Sequence, residues 1–390
     1  MPGIGDMRRK PDRTMCENLS NNRKDELARV LHASTAMSKW VIAVALGITV
    51  LADASMRAAS QDDDARVALF ERYADALRRS MHVPGASGLI IRNGGTVWSK
   101  GMGFQDVESR VVATPDTLYD IASLTKTFAS LLLLQCVERG TLSLDEPMSR
   151  YTTAIPEPNA TVRHVLTHTS QGSPGSAYRY DGNRFAALTG VVTACQGKPF
   201  RQALADILDR TAMTSSVPGH DLDQPSASLA SLFDAPTLAR YAAAVRRLAT
   251  PYQTNGQSAA RTDFPPRDIS ASAGLLSSVN DLAKYDAALD ANLFISATSQ
   301  SLAWTNARSS TTSLELPYGL GWFIQNVNGV RVVWHYGQWS QYSALYIKIP
   351  ERRLTLILLA NSGGLGEAFP LGNGDVMVSP FARAFLGLFL

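Results

Sequence analysis

Cysteine is scarce in this 390-residue chain: Cys16, Cys136 and Cys195 are the whole complement. That number and length exclude a small disulfide-stapled fold, and no pair has the spacing of a zinc ligand set. Cys136 and Cys195 lie inside apolar helical patterns and are expected as buried free thiols, although export would permit a bond between them. Lysine is also rare, with eight in all, and charged residues make up only 18%. Eight of the 37 basic and six of the 34 acidic residues fall in residues 1–54, which leaves 29 against 28 beyond it. A net charge of +1 gives no basic surplus with which to hold nucleic acid. A transmembrane run of about twenty apolar residues is missing as well. There is no internal repeat and no low-complexity segment outside the loops.

What is present is a globular composition, 45% hydrophobic, on a chain long enough for two domains or one large one. Residues 1–54 read as a leader. Lys39 precedes an apolar run at 40–51, and Ala52-Asp53-Ala54 follows as an A-x-A cleavage signature. The charged stretch before Met37 is long for an n-region, so Met37 competes with Met1 as initiator. The expectation is export to the periplasm or medium, with an uncleaved, membrane-anchoring segment as the alternative.

Helical periodicity runs over 65–81, 184–195, 201–208, 236–248, 280–289 and 296–306, with Thr161 as the N-cap of a short helix at 162–167. Strands are expected at 87–92 and 96–103 around the Asn93-Gly94-Gly95 turn. Four more, at 319–324, 330–335, 343–349 and 354–359, form a late meander, with a final helix at 380–388. Residues 249–270 are polar and Pro-bearing, hence a surface loop or lid. The fold class is α/β (α+β), an antiparallel sheet flanked by helices with an inserted helical domain. The sheet domain takes 62–120 plus 291–390, the helical domain takes 121–290, and the site lies at their junction.

The chemistry centres on Tyr119-Asp120-Ile121-Ala122-Ser123-Leu124-Thr125-Lys126. A helix starting near Ser123 puts Ser123 and Lys126 on one face, and this is the sole S-x-x-K in the chain. Serine needs a base, and lysine serves only if its surroundings lower its pKa from about 10.4 toward about 7. Tyr180, in a polar loop before a helix, is a candidate proton relay if a cation lies near its phenol. His335 ends a strand in His335-Tyr336-Gly337, where Gly337 allows close backbone approach and the Gln338 N–H could face a cleft. His164 and His168, four apart, could form a metal pair, but no H-E-x-x-H pattern surrounds them and a structural role is favoured. Each of these has a plain alternative: a capping serine, a solvated lysine, a packed tyrosine, a satisfied strand histidine.

Taken in order, Ser-x-x-Lys opening an apolar helix, a tyrosine motif before a helix and His-x-Gly on a late strand resemble the penicillin-recognising serine hydrolases. Within them the chain is similar to the class C β-lactamase, D-alanyl-D-alanine carboxypeptidase and family VIII esterase group. Pro84-Gly85-Ala86-Ser87, Thr117 through Ser123, Val162 through Ser170, Ala273 through Ser278 and Tyr318-Gly319-Leu320-Gly321-Trp322 carry the likeness across residues 64–388. The resemblance implies a β-lactamase/transpeptidase-like fold and an acyl-enzyme on Ser123. Lys126 would be the base or the cation activating Tyr180, Tyr180 the proton donor to the leaving group, and His335 the replacement for the third-motif lysine. The amides of Ser123 and Gln338 would form the oxyanion hole. No metal or cofactor is implied; the partner is a small-molecule or peptidoglycan-derived ester or amide.

Two positions depart from the pattern. Gly182 stands where Tyr-x-Asn has its asparagine, with Asn183 one step later, so either Asn183 shifts in or that contact is absent. Tyr336 stands where a Ser or Thr would help hold a substrate carboxylate. Both weigh toward an esterase over a β-lactamase or carboxypeptidase. They also motivate an alternative, an inert penicillin-binding-like binding or scaffold protein.

Overall fold

The computed structural model describes residues 63–255 and 257–390, together with Gly3. The apolar run at 40–51, its cleavage signature and both candidate initiators lie outside the described residues. From residue 67 the chain is one compact unit. The first described helix, α1 (63–80), buries Phe70 and Ala74. β1 (Gly85–Arg92) and β2 (Gly95–Asp106) follow as a hairpin. Asn93 and Gly94 turn it at φ 52° and 80°, the left-handed pair that a tight hairpin turn demands. β3 (Val111–Val112) adds a short edge.

β4 (Tyr119–Asp120) leads through a 3₁₀ turn, Ala122–Leu124, into α2 (Thr125–Glu138). Then come α3 (Val162–Leu166), α4 (Gly182–Ala186), α5 (Leu188–Gln196) and α6 (Phe200–Arg210). β5 (Val217–Pro218), α7 (Ala227–Ala230) and α8 (Ala235–Val245) follow. Next are β6 (Tyr252–Thr254), β7 (Ala259–Arg261), β8 (Leu275–Ser277), α9 (Val279–Asp290) and α10 (Ala297–Ala303). The chain ends with β9 (Phe323–Val327), β10 (Val330–Gln338), β11 (Ser343–Ile349), β12 (Leu354–Ala360) and α11 (Pro380–Phe389).

The main sheet runs β3-β2-β1-β12-β11-β10-β9, antiparallel throughout. β11 and β12 are buried at every position because both faces are covered, so their sequences read as continuous apolar runs. On one face Leu356 and Leu358 share a core with Phe70 of α1 and with Phe381 and Phe385 of α11. On the other, Tyr346, Ile357 and Leu359 pack with Phe128 of α2 and Tyr285 of α9.

Four expectations need correction. Cys136 and Cys195 are disulfide-bonded, with Cα atoms 5.9 Å apart, because α2 packs on α5 and brings their C-terminal turns together. The helix expected at 184–195 is two, broken at Ala187. Residues 319–321 are a turn with Gly321 at φ 82°, so the strand starts only at Phe323. The segment 249–270 is not a free surface loop: β6 and β7 pair, and Ala249, Tyr252, Phe264 and Ile269 are buried.

Candidate active site

The turn that carries Ser123 is built by β4. Tyr119 and Asp120 pair with Ser277 and Leu276 of β8, and the Ile121 N–H donates to Leu275 O at 3.0 Å. The next residue, Ala122, is forced to φ 46°, a left-handed conformation unfavourable for alanine. Asp120 Oδ1 holds it, accepting from the Ala122 N–H at 2.7 Å. The turn delivers Ser123 half-buried, with Lys126 one turn on in α2.

Lys126 Nζ donates to Ser123 Oγ at 2.8 Å and to Ser272 O at 3.0 Å. Its side chain is fully buried. Burial pulls its pKa down to about 7, against the opposing charge of Asp181. The pairing of Ser123 with Lys126 is thus present as spaced, and the lysine sits where its neutral form is accessible near neutral pH.

Tyr180 lies beside them. Lys126 Nζ is 5.2 Å from its ring centre, and its hydroxyl is buried without a hydrogen-bond partner of good geometry. Burial pushes this phenol well above its ordinary pKa, with Tyr336 adding to the rise and the nearby Ser123 side chain opposing it. With burial the dominant cause, the phenol keeps its proton.

Asp181 N-caps α4 by accepting from the Arg184 N–H at 3.0 Å. Gly182 follows, and a Cβ there would stand 3.7 Å from Lys126 Nζ and 3.8 Å from Ser272 Oγ. A side chain at 182 would therefore point at the lysine, whereas Asn183 is exposed and does not move in to replace it. Ser272 O is the acceptor that Lys126 has.

His335 is fully buried with both ring nitrogens engaged. Nδ1 donates to Tyr336 O at 2.7 Å, so Nε2 is the acceptor and receives a hydrogen bond from the Tyr318 hydroxyl at 2.8 Å. Burial, then the Lys126 charge, holds its pKa well below the usual value. It is a neutral imidazole inside the wall and not a side chain presented to a cleft. Tyr336 packs on Tyr180, ring centres 5.8 Å apart, and burial raises its pKa to about 12.

The far end of β10 meets the Ser123 turn. Trp339 N–H donates to Tyr342 O across the hairpin, so by antiparallel alternation the Gln338 N–H points away from β11. β9 pairs only as far as Trp334, leaving that side of Gln338 open. A Cβ on Gly337 would lie 2.0 Å from Ile121 O. Glycine is required here for strand and turn to touch, a closer reason than approach to a ligand.

Sequence reasoning missed three residues as parts of this site. Asp120 links the turn to the Trp339 indole, Nε1 donating at 3.1 Å. Tyr318 holds His335. His168 is not on a helix with His164: α3 ends at Leu166, His168 sits at φ 55°, and His164 turns back into a capping box with Thr161. His168 Nδ1 instead accepts the Asp181 N–H at 3.1 Å, and its ring lies 4.4 Å from that of Tyr180. Its position one residue past the Thr167 C-cap was the available signal.

Comparison with known proteins agrees with this architecture. Protein flp of Staphylococcus aureus (strain N315) is 36% identical over 124 residues, 30% of this chain and 25% of that protein, so the chain spans about a quarter of that relative's length. The octameric penicillin-binding protein homologue from Pyrococcus abyssi superposes with a TM-score of 0.64 at 24% identity, over 81% of this chain and 76% of that one. A class C beta lactamase from Rhodobacter sphaeroides does so with a TM-score of 0.60 at 16% identity, over 82% and 98%. At such identities the likeness is one of fold. The Beta-lactamase family profile matches residues 70–376, from α1 almost to α11, and by that match the chain belongs to the beta-lactamase family of serine hydrolases.

Proposed function

We infer that the protein is an exported hydrolase of small esters that works through an acyl-enzyme on Ser123. The observation that carries this reading is the fully buried Lys126 amine at 2.8 Å from Ser123 Oγ, with a pKa near 7. A neutral Lys126 takes the Ser123 proton as Oγ attacks the acyl carbon. The tetrahedral oxyanion forms between the Ser123 and Gln338 N–H groups, and loss of one such donor commonly costs about 2.7–4 kcal/mol. The Tyr180 phenol, protonated and without a partner, gives its proton to the departing alkoxide, and the Lys126 ammonium restores it. Water then attacks the acyl carbon with Lys126 again as base, releasing the acid and Ser123. His335 holds Tyr318 and the Tyr336 carbonyl, and so acts as a positioning residue for the wall behind Tyr180.

Ester preference rests on Gly182 and Tyr336. Position 182 offers no amide to an acyl-side carbonyl, and Lys126 is satisfied by Ser272 O instead. Tyr336 replaces a small hydroxyl with a ring packed on Tyr180, and the backbone at Gly372 closes against its hydroxyl. A substrate carboxylate loses a partner there. Export is supported by the Cys136–Cys195 disulfide, since such bonds persist in oxidising compartments.

The test is a substrate panel on the protein with Ser123→Ala as control: p-nitrophenyl butyrate, a chromogenic cephalosporin and a D-alanyl-D-alanine peptide. Ser123-dependent turnover of the ester, at least about tenfold above the other two in kcat/KM, is expected. Faster cephalosporin or peptide turnover would overturn the ester preference. The second reading, a non-hydrolysing penicillin-binding-like protein, is motivated by the same two positions and predicts β-lactam binding without turnover, unchanged in Ser123→Ala.

A further inference from the structure

Asp120 joins the two halves of the oxyanion site. Its carboxylate is buried, and Oδ1 alone accepts both the Ala122 backbone N–H at 2.7 Å and the Trp339 indole N–H at 3.1 Å. Ala122 immediately precedes Ser123, and Trp339 immediately follows Gln338. One oxygen therefore ties the turn carrying one oxyanion amide to the strand end carrying the other, across 219 residues of sequence. Tyr119 on its own strand and Tyr342 across the β10–β11 hairpin are the titratable neighbours, and Arg267 approaches from the 262–269 segment. The Arg267 guanidinium lies 4.6 Å from the Trp339 ring centre, so the third element closes over the same indole.

We propose that the Asp120 carboxylate is a positioning residue that sets the spacing of the Ser123 and Gln338 amides, and that its protonation loosens that spacing and slows acylation. This rests on the reading of Ser123 as nucleophile. The carboxylate is a two-bond acceptor with charge to strengthen both bonds, whereas the acid is a weaker acceptor whose own proton has to be housed. Burial raises the pKa of Asp120 to about 6, against the pull of the Ala122 and Trp339 hydrogen bonds and of Arg267, so the change falls within an assayable range. Tyr342 is pushed well above its ordinary value by burial and by Asp120 itself, and stays neutral across that range.

The experiment is the pH dependence of kcat and KM for p-nitrophenyl butyrate, on the full chain, from pH 5 to 9. Wild type should lose kcat/KM below pH 7 as Lys126 takes a proton, and its log slope should steepen from about one to about one and a half near pH 5.5 as Asp120 follows. Asp120→Asn should be about tenfold slower at pH 8, in kcat more than KM, with a slope that stays near one. An unaltered kcat, or a slope that still steepens above one in Asp120→Asn, overturns the proposal. Should that variant not fold, Trp339→Phe removes the indole donor while keeping an aromatic ring beneath Arg267, and has to reproduce the kcat loss at pH 8; wild-type kcat in it overturns the proposal equally. Absence of Ser123-dependent turnover in the wild type overturns the hydrolase reading itself, a result distinct from either.

Discussion

Lys126 is where the residue-scale cost of the site is concentrated. Its folded pKa of about 7 lies below the ordinary lysine value, so the folded protein resists protonation there while the unfolded chain does not. The penalty is fully present below pH 7 and is relieved as pH rises toward about 10.4, a span of roughly three units or on the order of 4 kcal/mol. Under the proposed acyl-enzyme reading, with the neutral amine as base, activity has the same sign, and kcat/KM should rise with pH through about 7. Lys126→Met should abolish turnover yet raise the melting temperature by several degrees at pH 6, with the gain shrinking at pH 10. A variant that melts lower at pH 6 than at pH 10 relative to wild type would contradict the assignment of the lysine as buried and near neutral. Ser123 and Lys126 were legible in the sequence because a three-residue spacing on a helix is local. Asp120, Tyr318 and His168 were not, since each acts through a partner that only the folded chain brings near.

At the scale of elements, α9 is fastened to the sheet by a buried ion pair. Lys348 Nζ of β11 donates to Asp286 Oδ1 at 2.8 Å, with both side chains 1% exposed, and the Tyr346 hydroxyl and Thr355 donate to the same oxygen. Removing the carboxylate leaves a buried ammonium with the half-exposed Asp290 at 2.8 Å and the Thr355 hydroxyl at 3.3 Å. Asp286→Ala should therefore cost about 3 kcal/mol in urea unfolding, and a loss under about 1 kcal/mol would show that Asp290 and Thr355 satisfy the lysine without it. The strands of this sheet were readable from β-branched runs and the Asn93-Gly94 turn. The pairing of β6 with β7 was not, because polar composition at 249–270 hides four buried anchors whose partners are remote. β10 explains the difference best. Its apolar alternation is visible in sequence, but the open amide of Gln338 depends on where β9 stops.

For the whole molecule, the Cys136–Cys195 bond closes a loop of 59 residues that includes the Tyr180 motif. The chain-entropy treatment assigns such a loop about 4 kcal/mol, so reduction or Cys136→Ser should lower stability by about that amount in urea, with the ester activity of the surviving folded fraction unchanged. Equal stability of oxidised and reduced protein would contradict the bond. An apolar helical pattern reads the same for a thiol and a half-cystine, which is why the sequence pointed to free cysteines. The central claim is that Ser123 is acylated with Lys126 as its base. The most direct measurement is intact-protein and peptide mass spectrometry after treatment with a fluorophosphonate. The account predicts one adduct on the Ser123 peptide, absent in Ser123→Ala and formed at least about a hundredfold more slowly in Lys126→Ala. An unmodified Ser123, together with ester turnover that persists in Ser123→Ala, would contradict it.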